Sequence, residues 1–245
     1  MKQIICHLIA ALLSACLFSS SALAGITITG TRIIYPAAEK EVTVRLNNRA
    51  DRPALVQAWI DDGDAHQALD KIDVPFVLLP PVSRVEAHKG QTLRLIYTGH
   101  NQAATKESVF WLNVLDIPPT DKKLAGKNQL QMALRSRIKI FFRPGSLSEE
   151  GAKQAAAGLI WRKGSKSDRL TASNPSPYFV NVSRVTVDSL SGRQLTTQRG
   201  EMLAPGATQE FTLHGGALTQ IKPDIHYQYL DDYGAARSVD SQLTQ

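Results

Sequence analysis

Apolar residues recur at every second position along much of the chain, as in Val42-Thr43-Val44-Arg45-Leu46 and Leu93-Arg94-Leu95-Ile96-Tyr97. Side chains that return to one side every two residues belong to strands with one face in a core. Between these runs stand Asn47-Asn48, Asp62-Gly63, Pro80-Pro81, Lys89-Gly90 and Pro118-Pro119, residue types that preset turn angles or tolerate positive φ. Short strands separated by regular turns predict an all-β fold, a sandwich or a barrel. No long helical pattern competes; the alanine-containing stretch from Glu149 to Leu159 is expected to be a short helix or a connector.

The first residues break this pattern. Lys2 is followed by an uncharged apolar run from Ile4 to Phe18, too short to be read as a membrane span, and then by Ser19 to Ala24. Ala22-Leu23-Ala24 supplies the small residues that a signal peptidase requires, so residues 1–24 are expected to be a cleaved export signal and Gly25 the new start. The rival is a lipoprotein signal cut before Cys16 in Leu13-Ser14-Ala15-Cys16, against which stands the apolar stretch continuing past that cysteine. Cleavage after Ala24 removes both cysteines, Cys6 and Cys16, so neither a disulfide nor a thiolate-bound zinc is expected. Stability must then come from packing.

Taking 24 residues from 245 leaves 221, enough for two immunoglobulin-like sandwiches of roughly 100 residues each. The boundary falls after Ile138-Lys139-Ile140-Phe141-Phe142-Arg143, where Pro144-Gly145-Ser146 ends the strand. This gives domains over 25–146 and 147–245. The second strand series runs from Gly158-Leu159-Ile160-Trp161 through Tyr178 to Val182 and Arg184 to Val187, ending near Tyr227-Gln228-Tyr229.

Several chemistries find no support. Aromatics make up 7% of the chain, and the lysines and arginines behind the net charge of +6 are spread out, which is not the patch of a nucleic-acid binder. No Gly-x-Ser-x-Gly elbow occurs, and His66, His88, His100, His214 and His226 are scattered, so no hydrolase triad is expected. Gly25 to Gly30 has the spacing of a phosphate loop, but Thr31 stands where a lysine is needed. Asp61-Asp62-Gly63-Asp64 offers oxygen ligands for calcium, but an exposed acidic turn is the commoner explanation. No catalytic residue, metal or cofactor is assigned.

Leu130-Gln131-Met132-Ala133-Leu134 places three large apolar side chains on one face of a strand, which by itself describes any half-buried core strand. The stretch before it is more specific. Lys106-Glu107-Ser108-Val109-Phe110-Trp111-Leu112-Asn113-Val114-Leu115-Asp116-Ile117-Pro118-Pro119 resembles the signature of the PapD-like periplasmic pilus chaperones. The likeness extends over Gly30-Thr31-Arg32, Gln57-Ala58-Trp59-Ile60, Arg137 to Pro144, Asn174-Pro175-Ser176-Pro177-Tyr178 and Asp232-Tyr233-Gly234. It departs at Thr105, where the family has Asp or Asn, and at Gln102, where it has an apolar residue.

The resemblance implies two immunoglobulin-like sandwiches set at an angle around a cleft. It implies a non-catalytic periplasmic chaperone that folds and caps pilus subunits by lending them a strand, and passes them to an outer-membrane usher. In those terms Arg32 and Lys139 would anchor the subunit's terminal carboxylate, Leu130, Met132 and Leu134 would fill its groove, and Ile28, which shares parity with Arg32 along the opening strand, would add a contact. Glu107, Arg143 and Asp232 would form an interdomain charge network. The ten residues from Thr120 to Gln129 make a short loop before the donor strand, which resembles the family's short-loop subgroup. Whether the free protein self-associates stays open, and a non-catalytic adhesion or carbohydrate-binding module is the alternative for such a fold. Strict alternation from Leu130 puts Lys139 on the opposite face from Leu134, so a bulge or a twist is expected between donor and anchor.

Overall fold

The computed structural model describes residues 25–99, 105–119, 128, 130–216 and 221–244. The expected export signal, Gln102, His100 and nearly all of the loop from 120 to 129 lie outside the described residues. Nine strands precede the break at Pro144: β1 (Ile26–Ile28), β2 (Arg32–Pro36), β3 (Val42–Asn48), β4 (Ala54–Asp61), β5 (Phe76–Leu79), β6 (Val82–Val85), β7 (Gly90–Tyr97), β8 (Ser108–Ile117) and β9 (Leu134–Arg143). They form a four-stranded sheet in the order β1-β3-β7-β5 and a five-stranded sheet in the order β2-β9-β8-β4-β6. The alternating residues Val44, Leu46, Leu93, Leu95, Leu112, Val114, Ile140 and Phe142 meet between them in one core.

After Ser148, whose side chain accepts the Gly151 N–H at 3.1 Å and so caps the first turn, comes α1 (Glu149–Ala157). Eight strands follow: β10 (Ile160–Lys163), β11 (Arg169–Ser173), β12 (Val180–Ser189), β13 (Gln194–Thr197), β14 (Glu201–Leu203), β15 (Thr208–His214), β16 (Ile221–Leu230) and β17 (Ala236–Gln242). They form a single eight-stranded sheet in the order β10-β11-β15-β13-β12-β16-β17, with β14 also paired to β12. It encloses a second core around Trp161, whose ring lies 5.3 Å from Phe211 and 5.2 Å from Tyr227, and no residue belongs to both cores. The Tyr227 hydroxyl donates to the Ala156 carbonyl at 2.6 Å, tying α1 to that core.

Two strand expectations change. Val180–Val182 of the first run and the whole of Arg184–Val187 lie in the one strand β12, which pairs with β16 across a register shift between Val182 and Arg184, while Tyr178 and Phe179 precede it. The series also does not end at Tyr229, because β17 pairs with β16 from Leu230–Ala236 to Asp224–Gln242. That strand is an exposed edge carrying Val239 as its one large apolar residue, so it has no alternation to read.

The start of the chain serves both sheets of the first domain. β1 pairs with β3, whereas β2 pairs in parallel with β9, with Arg32 opposite Lys139 and Pro36 opposite Arg143. The crossing is made at Thr29-Gly30-Thr31, where Gly30 has φ +92°, a conformation favoured for glycine. Beyond the crossing Tyr35 is fully buried between the sheets, and its hydroxyl accepts the Tyr97 N–H at 3.0 Å. Replacing Tyr35 with Phe keeps the ring and strands that N–H, which costs about 1–3 kcal/mol. Denaturant unfolding of Tyr35→Phe is expected to show a loss in that range with an unchanged m-value.

Candidate functional site

β9 is paired with β8 without interruption from Leu134–Asp116 to Phe142–Ser108. On its other side β2 covers only Lys139 to Arg143. Among the described residues the β2-side edge from Leu134 to Ile138 therefore has no neighbouring strand. Unpaired edges recruit further strands, and proteins ordinarily blunt them. Here the edge begins at Leu134 and is preceded by Leu130 and Met132; Leu130, Met132 and Leu134 are 87%, 71% and 62% exposed. That exposure excludes a role in this molecule's own core. Leu130 to Ala133 lie in no described ladder, so the strand read from alternation begins only at Leu134.

The unbroken β8–β9 register also removes the expected bulge. Leu134, Ile138, Ile140 and Phe142 share the face toward the first core, while Arg135, Arg137, Lys139, Phe141 and Arg143 project from the outer face. The parity argument for Ile28 lapses too. The crossing at Gly30 puts Ile28 and Arg32 in different sheets, and Ile28 packs, partly buried, against the first core.

Arg32 and Lys139 are register partners at the seam between the domains. Arg32 Nη1 donates to the Leu230 carbonyl at 3.0 Å, its Cζ sits 5.9 Å from the centre of the Phe141 ring, and its buried Nε has no partner. Lys139 Nζ donates to Asn181 Oδ1 at 2.8 Å and stands 5.4 Å from the centre of the Trp111 ring. Both acceptors are neutral. Burial holds the Arg32 guanidinium below its ordinary range, with Asp232 and Asp231 pulling it back up. Burial, and then the adjacent Arg32 charge, lowers Lys139, with Glu201 opposing. Among the described residues neither of these adjacent half-buried cations forms an ion pair, and both have lost water, an arrangement whose chemistry suits an anion.

Next to them a charged cluster crosses the seam. Arg143 donates to Glu107 Oε1 at 2.7 Å and grips Asp232 with two bonds of 2.7 and 2.9 Å. Glu107 Oε2 accepts the Phe179 N–H at 2.8 Å, and the Glu107 N–H donates to the Pro177 carbonyl at 2.9 Å. Burial works against the Arg143 charge, but Asp232 and Glu107 more than reverse it and hold the guanidinium above its usual range. Each partner is locally prepared. Asn174 organises the Pro175–Pro177 turn by donating to the Tyr178 carbonyl at 2.7 Å. Asp231 accepts the Tyr233 and Ala235 N–H groups at 3.0 and 2.9 Å, building the turn that presents Asp232. Gly234, at φ +83°, packs so tightly that a β-carbon there would lie 2.2 Å from Thr31 Oγ1.

Residues 25–148 match the family model described as pili and flagellar-assembly chaperone, PapD N-terminal domain, and residues 154–241 match that of the pili assembly chaperone PapD C-terminal domain. The chain belongs to the PapD family of pilus-assembly chaperones. Among its relatives are the chaperone protein FimB/FhaD of Bordetella pertussis, 41% identical over 87% of this chain and 86% of that protein, and MrkB of Klebsiella pneumoniae, 42% identical over 86% and 88%. The solved structure of the YadV chaperone superposes with a TM-score of 0.75 at 35% identity, covering 90% of this chain and all of that one. The fold expected from the resemblance, nearly all β in two domains, is the fold of this PapD-like chaperone. No described helix is long and apolar enough to cross a membrane.

Sequence reasoning missed two residues of this region. Asn181 was read only as part of a strand, yet it is 8% exposed and holds Lys139; a polar residue among Val180, Val182 and Phe179 was the signal. Asp61 was read within an exposed acidic turn, but it is 1% exposed. It pairs with Arg137 and accepts from Asn113 Nδ2 at 2.6 Å, on the outer face where Arg137 also lies 4.2 Å from the centre of the Trp111 ring. A carboxylate so bound is no calcium ligand. Burial alone would raise Asp61, but Arg137, Asn113 and the Gly63 N–H together bring it below its ordinary value of 3.8. A depressed folded value means that the stabilisation is complete above the unfolded value and is lost as pH falls through the folded one. Stability measured from about pH 5 to about pH 2 should therefore fall less steeply in Asp61→Asn than in the parent, and the variant should start about 1–3 kcal/mol lower at neutral pH.

Proposed function

We propose that the chain, exported to the periplasm with loss of residues 1–24, acts without catalysis as a chaperone that binds, folds and caps pilus subunits by donor-strand complementation before an outer-membrane usher takes them. The observation that carries this reading is the β9 edge from Leu134 to Ile138, open among the described residues and ending at two cations that form no ion pair there. An incomplete sandwich in the subunit gains main-chain hydrogen bonds along that edge, and Leu130, Met132 and Leu134 enter the groove of its absent strand. Each such side chain contributes roughly 1.5–3 kcal/mol when fully buried.

Arg32 and Lys139 hold the subunit's terminal carboxylate, and this fixes the register. The opposite faces of Leu134 and Lys139 present no conflict. A chain end, unlike a side chain within a strand, is free to turn out of the sheet, so its carboxylate reaches the outer face while the preceding side chains keep to the core-facing side. The guanidinium and ammonium replace water lost from the carboxylate with charge-assisted bonds. The Glu107–Arg143–Asp232 network holds the two domains in the orientation that keeps Asn181 and Leu230 against those cations. Its role is geometric, since buried ion pairs are poor net stabilisers.

The test is recovery of clients from periplasmic extract with a tagged protein. The wild type should retain a small β-rich subunit, while Arg32→Ala and Lys139→Ala should each retain it at least about tenfold less, the loss of one or more charged hydrogen bonds. Far-UV circular dichroism and melting of the variants should match the parent. Equal recovery from all three proteins would remove the carboxylate anchor.

A further inference from the structure

Asp116 is a carboxylate on the wrong side of its strand. It shares parity with Leu112 and Val114, so it faces the interior of the first domain at the open end of the sandwich, in register with Leu134 of β9 and Val56 of β4. From there it reaches across to the other sheet, where Asp116 Oδ2 accepts the Ile26 N–H at 3.0 Å. It joins no ion pair among the described residues, although Arg52 lines the same cavity of about 440 Å³. Met132 and Leu134 line that cavity too.

Gly25 is held against this carboxylate. Its carbonyl accepts the Arg49 N–H at 3.0 Å, and a β-carbon on it would lie 2.2 Å from Asp116 Oδ2. Any other residue type would have to push Asp116 away. The Gly25 nitrogen is one bond of about 1.46 Å from that same α-carbon, which brings it within reach of the carboxylate by a turn about a single torsion.

We propose that export processing completes the first domain by creating an ion pair between the Gly25 α-ammonium and Asp116, an inference that rests on the reading of residues 1–24 as a cleaved signal. Hydrolysis of the Ala24–Gly25 peptide bond by a signal peptidase and one water leaves a carboxylate on Ala24 and an ammonium on Gly25. The ammonium and the Ile26 N–H then share one carboxylate, a clasp that a continuing chain cannot make because its amide nitrogen carries no charge. The clasp ties β1 to the opposite sheet at the mouth of the sandwich, beside the first paired residue of the donor edge. Gly25 is thus both the cleavage position and the residue whose missing side chain admits the contact.

The experiment is a two-by-two comparison of melting temperatures on the purified protein: chains starting at Gly25 or retaining Ala24, each with Asp116 or Asp116→Asn. Asparagine keeps an oxygen acceptor for Ile26, so the comparison isolates charge. In the chain starting at Gly25 the substitution should lower the midpoint by about 4 °C or more, and in the chain retaining Ala24 by about 1 °C or less. Acetylating the Gly25 amine, which leaves Asp116 untouched, should produce the same loss as the substitution. Equal losses in both chains, or no effect of acetylation, would overturn the ion pair. The N-terminal mass of the exported protein is an independent readout: a start other than Gly25 would overturn the processing step without touching the coupling measured on the purified chains.

Discussion

A strand that divides its hydrogen bonds between two sheets cannot cover the whole of either neighbour. The chain pairs with β3 through Ile28, crosses at Gly30, and joins β9 only from Arg32 onward. Two consequences arise together. Among the described residues five positions of β9 keep an open edge, and Arg32 is delivered beside Lys139 at the end of that edge. The cost of leaving an edge open is borne by a protein whose proposed task is to have another chain close it.

The outer face of the five-stranded sheet and the second domain turn this edge into a site with a defined end. Arg143, Glu107 and Asp232 join the domains through charged bonds of 2.7–2.9 Å, at positions fixed by the Asn174 and Asp231 turns. Within that frame the second domain supplies neutral oxygens, from Asn181 and Leu230, to Lys139 and Arg32. Neutral acceptors hold the cations in place without cancelling their charge. In the proposed reading this preorganises the site for a subunit's carboxylate, since neither cation forms an ion pair among the described residues.

Much of this was legible in the sequence because period-two alternation and turn residues report burial directly. The strands around Val44 and Leu93 followed from it, and the alanine-containing stretch after Ser148, left open between a short helix and a connector, is the helix α1. β17 was missed since it carries a single large apolar residue, Val239, and so shows no apolar period. The part played by Asp61 was hidden because its partners, Arg137 and Asn113, are distant in the chain and adjacent only across three strands. The parity reasoning that linked Ile28 to Arg32 failed at Gly30, where a single positive φ ends one strand and starts another. Conversely, the same reasoning placed Lys139 and Leu134 on opposite faces correctly, and what required revision was the assumption that anchor and donor must share a face.

The direct test of the open edge is amide hydrogen exchange of the chaperone alone and in complex with a purified pilus subunit. Backbone amides between Leu130 and Ile138 that face away from β8 should exchange rapidly in the free protein and become strongly protected in the complex, while β4 and β7 remain as they were. A stable complex in which those amides stay as exposed as before would contradict strand donation from β9.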